Sequence, residues 1–436
     1  MLTLPGAARA VSNQDCFDCH TPDLNAMAPD DRAEMVLPAD DDFDAGHKQR
    51  VRWKDRTLEV DKESFAKSVH KDLDCTNCHA DIDEVPHKAV LAAVDCGSCH
   101  TEIGALYHKS VHGKLVGKGN GKAAGCADCH GAHDILKAKD PNSRIAKKNV
   151  ADTCGKCHLD DPAIAEKSSF ATGLTPAILY QSSIHAQAIQ RGNNSAATCN
   201  DCHESHSLLP MSDPASSIFK MNVSKTCGKC HYREASEYDE SVHGVALGHG
   251  IFDSPSCNDC HGEHGVVATT DPRSSVYRAT VSKVTCFSCH SQERIIRKYG
   301  LASKRFQTYE DSFHGLADML GDTTVANCSS CHGIHNIFPS SDERSTVNQA
   351  NLGKTCGSCH PKMSEGFAGR IHGEPSNSIG YRISRRNQVD LLFPHRRHAR
   401  LYAVPQASST GSRSSGSFSA SARARAPICA STSTNA

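Results

Sequence analysis

Residues 126–133 read Cys-Ala-Asp-Cys-His-Gly-Ala-His, and residues 153–158 read Thr-Cys-Gly-Lys-Cys-His. Both stretches contain the pattern Cys-x-x-Cys-His, which occurs eleven times in the 436 residues of the chain. The pattern uses all of the 23 cysteines except Cys429, which we expect to stay a free thiol. The motif cysteines are Cys16 and Cys19, Cys75 and Cys78, Cys96 and Cys99, Cys126 and Cys129, Cys154 and Cys157, Cys199 and Cys202, Cys227 and Cys230, Cys257 and Cys260, Cys286 and Cys289, Cys328 and Cys331, and Cys356 and Cys359.

Cysteine and histidine are abundant in a chain that is otherwise poor in side chains for packing. There are 27 histidines, whereas hydrophobic residues make up 38% and aromatic residues 5% of the sequence. This is too little apolar material for the several cores that a chain of this length would normally build. The formal net charge of −1 gives no sign of a nucleic-acid-binding surface. The longest apolar stretch, residues 89–94, is far shorter than the ~20 residues of a membrane helix, so we expect no membrane span in this chain.

The histidine that follows the second cysteine narrows the chemistry. Zinc sites, redox dithiols and disulfide frameworks also use paired cysteines, but none of them requires that histidine. Covalent haem c attachment does, because the two thiols add to the haem vinyl groups and the adjacent imidazole ligates the iron. The sequence therefore predicts eleven haem c groups, whose proximal ligands would be His20, His79, His100, His130, His158, His203, His231, His261, His290, His332 and His360.

Eleven further histidines are candidates for the second axial ligand. Six follow an aromatic residue by five positions, usually as Ser-x-His-Gly, and four lie three residues past a motif histidine. A histidine of the second kind cannot reach round the haem attached just before it, so each should serve a neighbouring haem. His87 is a looser version of the second kind. The distal candidates are His70, His87, His112, His133, His185, His206, His243, His264, His314, His335 and His372.

The residues around the first kind of candidate suggest how it is held. We expect a short helix through both the aromatic residue and the histidine, which would then point ~140° apart, with the aromatic turned away from the haem. The glycine that often follows the histidine, such as Gly244, would let the backbone approach the porphyrin. His47, His108, His249, His395 and His398 fit neither pattern, and we interpret them as ordinary histidines.

The motifs form a repeat. Each unit has a first motif, Cys-x-x-Cys-His-x-x-His, then a second motif about 28 residues later, then the aromatic and Ser-x-His segment. Units II to V start at Cys126, Cys199, Cys257 and Cys328, with motif separations of 28, 28, 29 and 28 residues. Unit I, starting at Cys75, is a shorter variant, and one solitary motif at Cys16 precedes it. The Asp- and Ser-containing linkers between motifs predict loops rather than strands.

These patterns predict the architecture. We expect a mainly irregular, elongated chain with short α-helices and little or no β-sheet, wrapped around a row of haems that supply the missing apolar mass. The predicted regions are a signal-peptide remnant at 1–10, a trihaem region at 11–125, four paired-haem repeats with eight haems at 126–375, and a tail at 376–436. The tail is a low-complexity Arg/Ser/Ala sequence with a formal charge of +8, against −9 for residues 1–375, and we expect it to be disordered.

Both ends are unusual. Residues 8–10, Ala-Arg-Ala, resemble a signal cleavage site without the charged and apolar regions of a signal, so the export signal looks truncated. The abrupt change of composition after residue 375 favours a truncated or frame-shifted end, and a basic anchoring tail is the alternative. Haem c is attached outside the cytoplasmic membrane, so we expect a periplasmic or extracellular protein.

With its eleven motifs, paired CHGxH and TCGxCH spacing and SxHG segments, residues 12–375 resemble multihaem c-type cytochromes of bacterial respiratory chains. The resemblance is strongest to the doubled-CxxCH group, in which the multihaem part is in some members followed by a membrane b-type cytochrome domain. It implies bis-histidyl haems in a row, which carry electrons from a membrane quinol-oxidising cytochrome or other redox protein to periplasmic or extracellular acceptors. The chain would then be an electron-transfer protein rather than an enzyme, without a nucleic-acid partner. The alternative is a multihaem reductase of nitrite, hydroxylamine or a sulfur oxyanion, which would need an open iron position.

Overall fold

The computed structural model describes residues 11–37, 58–168, 174–301 and 305–361, all of which belong to one unit that spans Met1–Ile379. Within these ranges the chain is made of short helices joined by turns, and the only β-structure is a single parallel bridge between Leu37 and Lys88. The expectation of short helices with little or no sheet is confirmed for the described residues. His47, His372, His395, His398 and Cys429 lie outside them, as do the predicted signal remnant and the tail.

The helices are short because turns and caps interrupt the chain every few residues. In chain order they are α1 (Asn13–Cys19), α2 (Pro22–Ala26), α3 (Pro29–Ala33), α4 (Lys62–Lys67), α5 (Cys75–Cys78), α6 (Thr101–Lys109), α7 (Val111–Gly117), α8 (Cys126–His130), α9 (Val150–His158), α10 (Pro162–Ser168), α11 (Pro176–Gln181), α12 (Ile184–Gln190), α13 (Cys199–His203), α14 (Val223–Gly228), α15 (Tyr232–Glu240), α16 (Val242–Gly248), α17 (Cys257–His261), α18 (Phe287–His290), α19 (Glu293–Tyr299), α20 (Arg305–Glu310), α21 (Phe313–Met319), α22 (Cys328–His332) and α23 (Leu352–Gly357). Short 3₁₀ turns lie at Cys96–Ser98 and Lys220–Asn222, and a π-helical turn lies at Ser282–Cys286.

The linkers between the two motifs of a unit are successions of tight turns. In unit II, backbone N–H groups three residues apart bond back to Asp140, Ser143 and Ala146 in sequence. The side chain of Ser143 is buried and donates to the carbonyl of Leu136. In unit IV the linker is one residue longer, and the π-helical turn lies at its end. A π-turn is the usual way in which a helix takes up one extra residue.

Backbone hydrogen bonds tie the segment of the solitary motif and units I to III to the unit two places further along the chain. In these four, the residue before the Ser-x-His histidine donates its N–H to the carbonyl of the residue two positions past a later CHxxH histidine. These bonds are Val69 to Ile135, Val111 to Leu208, Ile184 to Val266 and Val242 to Ile337, at 2.7–2.8 Å. The chain is therefore held together by contacts between its repeats as well as within them.

Few apolar side chains are fully buried. Among the described residues these are Ala146, Val150, Ala186, Ile189, Ala235, Leu247, Val281, Ile295 and Tyr309. Serines make up most of the buried polar side chains, and many of them cap helices or turns. The described part of the chain contains no helix that is long and apolar enough to cross a membrane. Side-chain packing of the usual kind thus contributes little to this fold.

Candidate functional site

The first motif of each unit forms one helical turn. In α8, Cys126, Cys129 and His130 occupy positions i, i+3 and i+4, which lie on the same face of a helix. Asp128 fixes the start of this turn, because its carboxylate accepts the N–H of Gly125 at 2.7 Å. Equivalent bonds at 2.6 and 2.7 Å join Asp201 to Thr198 and Asp259 to Ser256. The motif sequence therefore presents both thiols and the imidazole to one side.

Each described distal candidate faces the histidine of a motif other than its nearest one. The imidazole pairs, with their ring-centroid distances, are His20–His87 (6.1 Å), His70–His100 (6.0 Å), His79–His133 (6.3 Å), His112–His158 (6.2 Å), His130–His206 (5.9 Å), His185–His231 (6.3 Å), His203–His264 (5.9 Å), His243–His290 (5.9 Å), His261–His335 (6.1 Å) and His314–His360 (5.9 Å). The predicted apposition of the rings is thus observed for ten of the eleven candidates. The eleventh, His372, lies outside the described residues.

The spacing of these pairs can be compared with the needs of a shared metal ion. Two imidazole–metal bonds of about 2 Å each place the centroids of the rings about 6 Å apart. Ordinary aromatic neighbours also lie ~4.5–7 Å apart, so one such distance decides nothing. The range of 5.9–6.3 Å is narrow, however, and every one of the ten pairs joins a motif histidine to a distal candidate. The residues present therefore fit a planar group with an iron held between two imidazoles.

The pairing follows a fixed register along the repeats. The CHxxH histidine of each unit faces the first-motif histidine of the preceding unit, as His206 faces His130. The Ser-x-His histidine that ends a unit faces the second-motif histidine of the following unit, as His185 faces His231. Neighbouring units therefore exchange one histidine in each direction. His87, in unit I, faces His20 of the solitary motif in the same way.

A reversal of the chain after the first motif explains why the CHxxH histidine serves another unit. Gly131, directly after His130, has a φ of 89°, and Gly262 and Gly333 have φ values of 79° and 84° at the same place. Only glycine adopts such angles without steric cost, and Glu204 in unit III adopts 65° in spite of its side chain. The chain turns sharply here, which carries the next histidine away from the thiols just before it.

Hydrogen bonds and burial prepare the imidazoles to act as ligands. Nδ1 of His20 lies 2.6 Å from the carbonyl of Leu58, and Nδ1 of His87 lies 2.9 Å from the carbonyl of Lys88. An Nδ1–H bonded in this way leaves Nε2 as the basic atom, which is how metal-bound histidines are usually oriented.

Burial lowers the pKa of many of these histidines. For His243 it brings the pKa to about 4, with a further contribution from His290. Burial is also the main cause of the lowered pKa of His79, His112, His130, His133, His158, His185, His203, His261, His264 and His290. Their neutral form, which is the form that binds metals, is favoured at neutral pH.

The cysteines of successive motifs lie beside one another. The first cysteine of a second motif lies beside the first cysteine of the next unit, in the pairs Cys96 and Cys126, Cys154 and Cys199, Cys227 and Cys257, and Cys286 and Cys328. Cys16 and Cys75 make the same contact. Within a unit, the second cysteine of the first motif lies near the second motif, as Cys129 lies near Cys154 and Cys157. The motifs are therefore neighbours in the order of the sequence.

One continuous cavity runs past all eleven motifs. It measures 6710 Å³, or about 600 Å³ per motif, within the roughly 300–1,000 Å³ of small-molecule sites. All motif cysteines in the described residues are free thiols. No group of three or more His, Cys, Asp or Glu side chains surrounds a single metal position in the described ranges.

No protein-family model, curated protein or solved structure matches the chain. The repeats within the chain are therefore the available comparison, and they show which features recur. In units I to IV the aromatic residue before the Ser-x-His segment is a tyrosine, and its hydroxyl bonds to the carbonyl two residues before the next first motif. The bonds run from Tyr107 to Ala124, Tyr180 to Ala197, Tyr238 to Pro255 and Tyr309 to Ala326.

The helix predicted through the aromatic residue and the histidine is wrong. The expected single helix is instead two helices, because Ser241 has an extended backbone and caps α16 by accepting the N–H of Gly244. Tyr238 therefore lies on α15 and His243 on α16, and the ~140° angle of a continuous helix does not apply. Both residues line the cavity that runs past the motifs.

A backbone contact that the sequence did not predict also requires the glycine after the histidine. A Cβ on Gly244 would lie 2.1 Å from the carbonyl oxygen of Tyr238, and one on Gly315 would lie 1.9 Å from that of Tyr309. The glycine is therefore needed for the close approach of the two helices at the serine. The break between the two helices could have been predicted from the sequence, because a serine directly before a short helix is a common N-cap.

Proposed function

We propose that the chain is an undecahaem c-type cytochrome that conducts electrons. The observation that carries the proposal is the set of ten imidazole pairs at 5.9–6.3 Å, each next to the two thiols of a Cys-x-x-Cys-His motif. Haem iron would supply reversible one-electron chemistry. The protein would hold each macrocycle by two thioether bonds and two imidazoles.

The thiol contacts support a single path for electrons. Because the cysteines of successive motifs lie near one another, the edges of consecutive haems would lie side by side from Cys16 to Cys356. Axial histidines come from neighbouring units, so each haem would also be fixed relative to the next. Closely spaced, rigidly held haems are the arrangement expected of a conductor, in which the protein tunes potentials through ligands, burial and nearby charge.

Paired imidazoles favour conduction over reductase chemistry. A reductase of nitrite, hydroxylamine or a sulfur oxyanion needs an iron position open to substrate. In the ten described pairs both axial sides face an imidazole, which would close the iron to small ligands. We therefore propose an electron-transfer protein that is not an enzyme.

The stoichiometry tests the proposal directly. The chain, produced with a haem c maturation system, should carry eleven haems per molecule by pyridine haemochrome assay and by intact mass. A count of nine or fewer would mean that some motifs do not attach haem. The reduced protein should be low-spin throughout, and carbon monoxide should leave its spectrum unchanged. A high-spin fraction of about one iron in eleven would support the reductase instead.

The proposal also concerns location and partners. Haem c is attached on the outer side of the cytoplasmic membrane, which argues for a periplasmic or extracellular protein. Electrons would then come from a membrane quinol-oxidising cytochrome or another redox protein and pass to periplasmic or extracellular acceptors. Reduction of the purified protein by membranes that contain a quinol, and its reoxidation by soluble acceptors, would test this order.

A further inference from the structure

Asp318 breaks a pattern that units I to III keep. It lies four residues after the Ser-x-His histidine of unit IV, where those units have Val116, Ile189 and Leu247. The corresponding residue after His70 is also acidic, but that residue, Asp74, is exposed. Ile189 and Leu247 are buried, and Asp318 is more buried still, with only 1% of its surface exposed. A carboxylate in a buried position that suits a branched apolar side chain costs stability unless polar partners satisfy it.

The partner of Asp318 is the tyrosine tether of the same unit. The Tyr309 hydroxyl donates to Oδ2 of Asp318 at 2.9 Å, and its contact with the Ala326 carbonyl is longer here, at 3.3 Å, than the 2.6–2.9 Å of the other three tethers. Burial and the hydrogen bond to Asp318 raise the pKa of Tyr309, so the phenol keeps the proton that it donates. No ion pair of Asp318 is found among the described residues.

A second irregularity lies at the same place. The π-helical turn Ser282–Cys286 is the only one in the described residues, and it leads directly into the motif of Cys286. Cys286 makes the thiol contact with Cys328. The pKa of Cys286 is raised chiefly by that contact and by burial, and the negative charge of Asp318 adds to the rise. Asp318 also raises the pKa of Cys328, against the stronger lowering effect of Cys286.

Asp318 is therefore a buried acidic group at the junction of two motifs. Tyr309, which bonds to it, lines the cavity beside Cys286 and Cys328. A fixed negative charge in a buried setting stabilises the more positive, oxidised state of a nearby iron and weakens its tendency to accept an electron. Leu247 and Ile189, at the equivalent positions of units III and II, are uncharged.

We propose that Asp318 is a potential-setting residue, which lowers the reduction potentials of the haems attached at Cys286–Cys289 and Cys328–Cys331 relative to the same pair in other units. The inference rests on the proposed haem binding and deepens it. Acidic side chains at other junctions, such as Asp74 beside Cys75 and Asp239 beside Cys257, are exposed, whereas Asp318 is buried. Electrons would then meet an uphill step at the junction of Asp318 when they travel toward the motif at Cys356.

The test compares Asp318→Leu and Asp318→Asn with the parent protein by spectroelectrochemical titration at neutral pH. Leucine is the residue of unit III at this position, so the variant should fold and bind eleven haems. In both variants two of the eleven midpoint potentials should rise. Asp322→Asn, which removes an exposed carboxylate four residues away, should leave all midpoints unchanged. Asp318→Leu should also raise the melting temperature, because a buried carboxylate is replaced by an apolar side chain.

The outcomes separate this inference from the proposed function. A parent protein without haem would overturn both. Eleven haems in every variant with unchanged midpoints would overturn the role of Asp318 alone. A rise in all midpoints of Asp322→Asn equal to that of Asp318→Asn would also overturn it, because the effect would then be one of net charge and not of this buried site.

Discussion

The imidazole of His206 faces that of His130 at 5.9 Å, with the two ring planes within 7° of each other. His206 lies only three residues after another motif histidine, His203, which itself faces His264 of the next unit. The CHxxH histidine of a unit therefore faces the first-motif histidine of the preceding unit, and the first-motif histidine of the same unit faces the CHxxH histidine of the following unit. Because of this exchange, substitution of one distal histidine should alter the site of a motif in the neighbouring unit.

We predict that His206→Ala will open the iron of the haem attached at Cys126 and Cys129. Covalent attachment should stay at eleven haems, while about one iron in eleven becomes high-spin and binds carbon monoxide. Added imidazole should restore the low-spin spectrum. His249→Ala, which removes a histidine that fits neither pattern, should bind no carbon monoxide. An experimental structure of the variant that shows the opened iron at Cys199 instead would contradict the register.

Gly244→Ala should destabilise the folded protein by about 3 kcal/mol, because the new Cβ would lie 2.1 Å from the carbonyl oxygen of Tyr238. Two backbone segments would have to move apart at the serine cap. Gly248→Ala on the same helix has no heavy atom within 4 Å of the new Cβ and serves as the control. Thermal unfolding followed by circular dichroism would measure both. Equal melting temperatures for the two variants would refute the close-approach explanation.

Tyr238→Phe should cost about 1 kcal/mol through loss of the 2.6 Å hydrogen bond to the Pro255 carbonyl. The bond connects α15 to the residue two positions before Cys257, so its loss should also loosen the start of that motif. Hydrogen exchange at the amides of residues 256–259 should become faster. Tyr232→Phe is the matched control, because Tyr232 is 78% exposed. Unchanged exchange in Tyr238→Phe would show that the tether does not hold the motif.

Asp253 should make stability depend on pH. Hydrogen bonds from Lys298, Tyr299 and Arg294 hold the pKa of this carboxyl well below its usual range. A carboxyl with a depressed folded-state pKa contributes its stabilisation above the unfolded-state pKa, about 3.9, and loses it as pH falls through the folded-state value. Asp253→Asn should therefore lower the melting temperature at pH 7, and the difference from the parent should shrink below about pH 4.

The size of that effect should be modest, because exposed ion pairs are screened by solvent and contribute about 1 kcal/mol or less. The exposed Asp72→Asn variant is the control and should show no comparable difference at pH 7. A constant difference between Asp253→Asn and the parent from pH 7 to pH 3 would mean that the ion pairs are not its cause.

The amino-acid pattern was enough to predict which histidines meet motif histidines. His133 cannot fold back over the macrocycle attached three residues earlier, so covalent geometry alone assigns it to another site, and it faces His79 at 6.3 Å. The lack of sheet in the described ranges also followed from composition and turn residues. These features depend on steric limits and on interactions between residues close in sequence, so they can be predicted from the sequence alone.

The sequence did not predict which partner each histidine takes. His112 meets His158 and His130 meets His206, at separations of 46 and 76 residues, and nothing in the spacing of motifs alone selects these pairs. Tertiary contacts decide them, through the backbone bonds between units such as Val111 to Leu208.

The helix break at Ser241 and the burial of Asp318 also separate what the sequence determines from what tertiary contacts determine. The serine before the histidine is a local signal for the start of a helix. The close approach of the two helices at this point is not visible in the sequence: a Cβ added at Gly244 would lie 2.1 Å from the carbonyl oxygen of Tyr238. Asp318 looks like a solvent-exposed residue of a short helix in the sequence, and only the packing of α21 against Tyr309 buries it. The motifs, the histidines that meet them and the scarcity of β-structure in the described residues are set by the covalent chain. The register of the histidine pairs and the charge at the Cys286–Cys328 junction are set by which repeats come into contact, because long-range packing determines what each side chain faces.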